Sequence, residues 1–149
     1  MPAAIAQLGP RRVSTDWPIV LVVEPVCAVR GVITRVLEEA GYDVIAARSA
    51  ADALERLQLE HRHVDLLLTE VVLPQLSGAK LAARVQRDHP GVQVLYMTGW
   101  FDDVVERHGV VESRVDMLRK PFGPRELRDK VNEILDARDR SIISCQSAA

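Results

Sequence analysis

A chain of 149 residues, 48% hydrophobic and 27% charged, has the composition of one ordinary globular domain with a core of its own. Its net charge of -2 gives no general attraction for nucleic acid or an anionic membrane, and no apolar stretch approaches the ~20 residues of a membrane span. The two cysteines, Cys27 in an apolar-periodic segment and Cys145 in a polar one, suggest no disulfide framework, so a reduced, cytoplasmic protein is expected.

Residues 1–16 mix Pro, Gly, Ala and polar side chains without period and read as a flexible N-terminal arm, with neither a signal-peptide pattern nor a strand or helix signal. The folded domain is predicted to run over residues 17–139. It opens with a short, continuously apolar run at 19–23, the signature of a strand buried on both faces of a parallel sheet. Val29, Val32, Ile33, Val36 and Leu37 then repeat at helical spacing, with Gly41 as the stop. A second strand covers residues 43–47. Ser49, with Asp52 three residues on, caps a second helix through Ala53, Leu54 and Leu57 toward His61. The third strand is expected at 64–69, followed by a loop punctuated by Pro74 and Gly78. A third helix carries Leu81, Ala82 and Val85 and ends before His89-Pro90-Gly91. The fourth strand spans 92–97, and a short, weak helix through Val104, Val105 and His108 ends at Gly109. The fifth strand ends at Lys120-Pro121. Pro124 suits the first position of a final helix that turns Leu127, Val131, Ile134 and Leu135 inward. Residues 140–149 read as a fraying C-terminal tail. Five βα units with connections too short for hairpin pairing imply a parallel sheet with helices on both faces.

Four of the apolar runs end in residues able to do chemistry: Glu24 after the first, Thr69-Glu70 after the third, Thr98 after the fourth and Lys120 after the fifth. In an open α/β sheet, sites collect at the carboxyl ends of the strands. A strand order 2-1-3-4-5 would place Glu24 and Glu70 side by side, with Thr98 and Lys120 next to them. Other chemistries find no support. His61 and His63 flank Arg62 at a helix end without a cysteine or carboxylate cluster in sequence, so they read as solvated rather than as zinc ligands. His89 and His108 read as cap residues. Neither a G-x-S-x-G elbow nor a dinucleotide or P-loop glycine motif occurs.

With these endings the chain resembles the receiver domains of bacterial two-component response regulators and hybrid histidine kinases. The resemblance covers about residues 17–139. It rests on Leu21-Val22-Val23-Glu24, on Asp65 through Glu70 followed by Leu73-Pro74 and Ser77-Gly78, on Met97-Thr98-Gly99 and on Lys120-Pro121-Phe122. It implies a flavodoxin-like (βα)5 doubly wound sheet of order 2-1-3-4-5 and a role in phosphorelay signalling without enzymatic turnover. In that family an aspartate at the position of Glu70 accepts phosphate, acidic residues at the positions of Glu24 and Pro25 hold Mg²⁺, and a hydroxyl at Thr98 and an amine at Lys120 bind the phosphoryl oxygens.

Here Thr98 and Lys120 match, but both acids are glutamates and Pro25 offers no ligand atom. The remaining metal donors would be Glu24, Glu70 and the carbonyl of Val72, so Mg²⁺ binding is expected to be absent or weak. One extra methylene displaces the acceptor oxygen by about 1 Å, a shift that can cost on the order of 100-fold in a positioned reaction. The expectation is an atypical stand-alone receiver that is not phosphorylated and acts through protein contacts, with a Glu70–Lys120 ion pair, joined by a Thr98 hydrogen bond, fixing one state. Two alternatives stay open: a phospho-acceptor still using Glu70 with a weakened Mg²⁺ site, and a pseudo-receiver holding a small molecule. The resemblance implies a histidine kinase or other signalling protein as partner, no nucleic acid and no membrane. It offers the face of helix four, strand five and helix five for partners or a homodimer, with Trp100 and Phe101 as candidate anchors. The aromatic expected shortly before the lysine is missing, Met117 and Leu118 standing there instead.

Overall fold

The computed structural model describes residues 17–99, 102–111 and 114–147. The predicted arm at 1–16 and the candidate anchors Trp100 and Phe101 lie outside the described residues.

Five parallel strands form one sheet in the order β2-β1-β3-β4-β5. They are β1 (Ile19–Val23), β2 (Asp43–Ala47), β3 (Leu66–Glu70), β4 (Gln93–Thr98) and β5 (Asp116–Arg119). Between and after them run α1 (Cys27–Glu39), α2 (Ala50–Glu60), α3 (Gly78–Asp88), α4 (Asp102–Arg107) and α5 (Pro124–Ser147). This is the flavodoxin-like doubly wound topology expected from the alternation of periods. The uninterrupted apolar runs of β1 and β3 belong at the centre, because helices cover both of their faces. β3 is buried along its whole length.

Side-chain alternation divides the interior into two cores. Leu21, Val23, Leu67 and Tyr96 face a cluster containing Ala53 of α2, Leu81 and Val85 of α3 and Val105 of α4. Val20, Val22, Leu66, Leu68, Leu95 and Met97 face Ile33 and Leu37 of α1 and Leu127, Val131, Ile134 and Leu135 of α5. The four α5 residues expected to point inward are therefore core residues. The cap read from sequence at Ser49 is present, its Oγ accepting from the Asp52 amide, and the structure adds a second at Ser77, whose Oγ accepts from the Lys80 amide. Gly41 has φ +95°, and the Trp17 ring lies so close that a Cβ there would meet it at 2.8 Å. His89 caps α3 and also accepts the Val64 amide on Nδ1 at 3.4 Å, so Val64 is buried ahead of a strand that begins at Leu66 rather than at 64. His108 meets the Val104 carbonyl at the end of α4.

The predicted tail needs correction. α5 does not end near residue 139 but continues to Ser147. No Pro or Gly interrupts it after Pro124, and the residues read as polar and fraying are compatible with helix when they extend an existing one. Ser141 donates its hydroxyl to the Ala137 carbonyl four residues earlier, spending the side chain on the helix itself.

The end of the sheet opposite the strand carboxyl ends is held by charge. Arg138 Nη1 lies 2.8 Å from Asp65 Oδ1, and Asp65 Oδ2 accepts the Ile19 amide at 2.8 Å. This joins α5 to the start of β1 and the approach to β3. Tyr42 also donates its hydroxyl to Asn132 Oδ1 of α5. Burial, reinforced by Asp136 and Asp139, pushes the Tyr42 phenol up to about 12, so it remains a donor at any ordinary pH.

Candidate functional site

At the carboxyl edge the chain leaves β1 at Glu24, ends β3 at Glu70 and β4 at Thr98, and follows β5 with Lys120. Parallel pairing in register places these endings in one row: Val23 pairs with Thr69, Glu70 with Met97 and Thr98 with Arg119. Glu24 and Glu70 are 1% and 7% exposed, and Thr98 is fully buried. Three ionisable groups at a buried sheet edge must compensate one another, because an isolated buried charge is costly.

The compensation comes through one ammonium. Lys120 Nζ donates to Glu24 Oε2 at 2.6 Å and lies 2.7 Å from Glu70 Oε2. The first contact is a hydrogen bond. The second is an ion pair whose direction falls short of one, which leaves Glu70 Oε2 a buried oxygen held by charge alone. The predicted Glu70–Lys120 pair is thus present, and Glu24 shares it.

Backbone bonds fix the three residues further. The Lys120 amide donates to the Thr98 carbonyl at 2.8 Å, joining the ends of β4 and β5. Glu24 Oε1 accepts the Val26 amide at 3.1 Å, while the Glu24 amide donates to the Ala47 carbonyl. Arg30 Nη1 donates to the Glu24 carbonyl at 2.8 Å. Sequence reading missed Arg30. Its only signal is a cation on the first helix after the acid, a common surface pattern. The Lys120-Pro121 peptide bond is cis.

Behind Glu70 the chain turns sharply. The Val71 amide donates to the Met97 carbonyl, and the Gly78 amide returns to the Val71 carbonyl at 2.9 Å. A Cβ on Gly78 would stand 2.2 Å from the Glu70 carbonyl oxygen. That is backbone, which cannot rotate aside, so only glycine permits this approach. Gly78→Ala is expected to cost about 2–3 kcal/mol, in the range of an overpacked core, as measured by urea unfolding at neutral pH. A change within about 0.5 kcal/mol would show that the turn relaxes freely.

The charge states follow from this geometry. Burial raises the Glu70 carboxyl, Lys120 pulls it down and Glu24 pushes it up again, leaving it at about 7. For Lys120, burial acts downward, but the hydrogen bond to Glu24 and the charges of Glu70 and Glu24 outweigh it, so the amine is raised and stays an ammonium.

The residues at this edge do not fit a divalent cation. Mg²⁺ requires oxygen donors close to octahedral positions at ~2.0–2.1 Å. Pro25 supplies no side-chain donor, Val72 could add only its carbonyl, and the point equidistant from the two carboxylates is taken by a covalently attached ammonium. Among the described residues, no group of three or more His, Cys, Asp and Glu side chains is arranged to hold a metal. His61 and His63, read from sequence as solvated, are both exposed, and the His63 ring faces His89 with centroids 5.7 Å apart.

A doubly wound sheet with acids after its first and third strands, a hydroxyl after the fourth and a lysine after the fifth defines a signal-receiver architecture. The chain belongs to the response regulator receiver domain family, whose model matches residues 20–132. It is similar to the response regulator receiver protein CpdR of Brucella abortus, with 36% identity over 105 residues, 70% of this chain and 83% of that protein. It is also 32% identical over 120 residues to the sensor kinase CckA of the same organism, which covers 80% of this chain but only 13% of the kinase. Among solved structures, the signal receiver domain of an HD-domain protein from Pseudomonas fluorescens is 27% identical. It superposes with a TM-score of 0.71 over 83% of this chain and 98% of that one. The receiver domain of the hybrid histidine kinase CckA is 27% identical, with a TM-score of 0.65 over 78% and 98%. The chain is thus a receiver domain of two-component signalling. No helix among the described residues is long and apolar enough to cross a membrane.

Proposed function

We propose that this chain is an atypical receiver that does not accept phosphate and signals as a cytoplasmic, stand-alone protein through contacts made by its own surface. The supporting observation is the single ammonium of Lys120 set between Glu24 and Glu70 at 2.6 and 2.7 Å. Phosphoryl transfer needs an in-line nucleophile and a cation to neutralise developing charge. Here the only buried carboxylate at the acceptor position is paired to a lysine, and the acid pair lacks a donor at Pro25. Thr98 and Lys120, which resemble phosphoryl-binding positions, then serve packing and charge balance. A stand-alone reading draws support from CpdR, most of whose length is covered and which is named a receiver protein.

The partner would be a histidine kinase or another signalling protein. Trp100 and Phe101, which precede α4 in the sequence, are the anchors we propose, and the face of α4, β5 and α5 is the surface we propose for a partner or a homodimer.

Incubation with acetyl phosphate and Mg²⁺, followed by intact mass, tests the central claim. The expected result is no phosphoryl adduct. A stoichiometric adduct that disappears in Glu70→Gln would instead establish Glu70 as a phospho-acceptor working with a weakened Mg²⁺ site.

A further inference from the structure

Both glutamates aim one oxygen at the same point, and that point holds Lys120 Nζ. The remaining Glu24 oxygen is spent on the Val26 amide. Lys120 is also anchored at its backbone, through its amide on the Thr98 carbonyl, and its Cβ lies against Gly99, where an added Cβ would meet it at 3.8 Å. A cation tethered in this way binds intramolecularly, at an effective concentration in the millimolar range or above, and without the translational cost met by a free ion. An incoming divalent ion would have to expel the ammonium, breaking its hydrogen bond to Glu24 and its ion pair with Glu70, because two cations cannot share one poorly solvated point without strong repulsion.

We propose that Lys120 is the resident cation of this acid edge: lysine and a divalent ion compete for the same two carboxylates, and in the native chain the lysine holds them. The proposal rests on reading Glu24 and Glu70 as a receiver-type acid pair, but not on whether Glu70 accepts phosphate. It also assigns Glu24 a present role. As the hydrogen-bonded partner of Lys120, Glu24 positions the ammonium that Glu70 meets by charge alone.

Removing the amine leaves two buried carboxyl groups facing one vacated point, an environment that favours a hard cation once the pH, set at 8 or above for the titration, ionises Glu70. Calcium is the more tolerant probe, because it accepts irregular oxygen geometry where magnesium does not. Isothermal titration of the full chain with CaCl₂ at constant ionic strength is expected to show no saturable binding for the wild type. Lys120→Gln should gain at least roughly tenfold in affinity, a factor equivalent to about 1.4 kcal/mol. Lys120→Gln combined with Glu70→Gln should lose that gain, which locates the ion at this edge. Three results would overturn the proposal: saturable wild-type binding abolished by Glu70→Gln, equal affinity in wild type and Lys120→Gln, or a gain that survives Glu70→Gln. Circular dichroism checks that each variant is folded. If Lys120→Gln is not, the wild-type titration decides by itself, with binding abolished by Glu70→Gln against the proposal and absence of binding in its favour. Failure of the phosphate reading would appear separately, as a mass adduct in the wild type.

Discussion

Lys120→Met is expected to destabilise the domain by about 3–5 kcal/mol at pH 8, the cost typical of breaking a buried ion pair by removing one partner. The substitution keeps the length and apolar character of the side-chain stem, so what it removes is chiefly the charge. Glu24 and Glu70 then face each other across a buried edge with no cation between them. At pH 5 the loss should be clearly smaller. Glu70 is already raised to about 7 by burial, net of the opposing pull of Lys120, and without that pull it holds its proton to still higher pH. The protonated carboxyl needs no counter-ion. Urea unfolding at the two pH values measures both quantities, and a loss under about 1 kcal/mol at pH 8 would mean that water screens these carboxylates despite their burial. Adding Glu70→Gln to Lys120→Met should recover part of the loss at pH 8, since one of the two stranded charges is gone. That non-additivity is the coupling energy of the pair.

Most of the fold was legible in the sequence because its signals are local. The apolar runs at 19–23 and 66–68 name buried parallel strands, Ser49 sits at a helix start, and Pro124 opens α5. At the site, the positions of Glu24, Glu70, Thr98 and Lys120 followed from the strand endings, and the Glu70–Lys120 contact from reach. What the sequence did not reveal depends on choices made in three dimensions. That Lys120 would divide itself between two acids depends on where β1 and β3 leave their carboxylates relative to the end of β5. The Arg138–Asp65 pair joins residues 73 positions apart, and nothing local to either marks it. The extension of α5 is not legible because Ser and Cys are weak helix formers judged alone, yet a helix already nucleated adds them at small cost.

Glu70→Gln is expected to stabilise the domain at pH 8, on the order of 1 kcal/mol once screening of a partly solvated group is allowed for, and to be nearly neutral at pH 4. The sign follows from linkage. Glu70 titrates at about 7 in the folded chain against an ordinary value near 4.5, so between those values the native state holds a proton that the unfolded chain has released. Stability therefore falls as pH rises through that window and is fully reduced above about 7, the opposite of a salt-bridged acid whose pKa is lowered. Glutamine copies the neutral acid and cannot lose that proton, and Lys120 keeps its hydrogen bond to Glu24 in the variant. Thermal unfolding of both proteins from pH 4 to pH 8 should give curves that coincide at the acid end and separate above pH 5. A Glu70→Gln variant less stable than wild type at pH 8 would show that attraction to Lys120 outweighs burial. The same proton bears on signalling. A phosphoryl group carries about -1.5 to -2 charges and three acceptor oxygens, whereas a carboxyl that is part-protonated near neutrality carries less than one. Glu70 is thus a poor substitute for a phosphorylated aspartate on charge alone, and an edge neutralised by its own lysine and by part-protonation of Glu70 has little left with which to drive a switch.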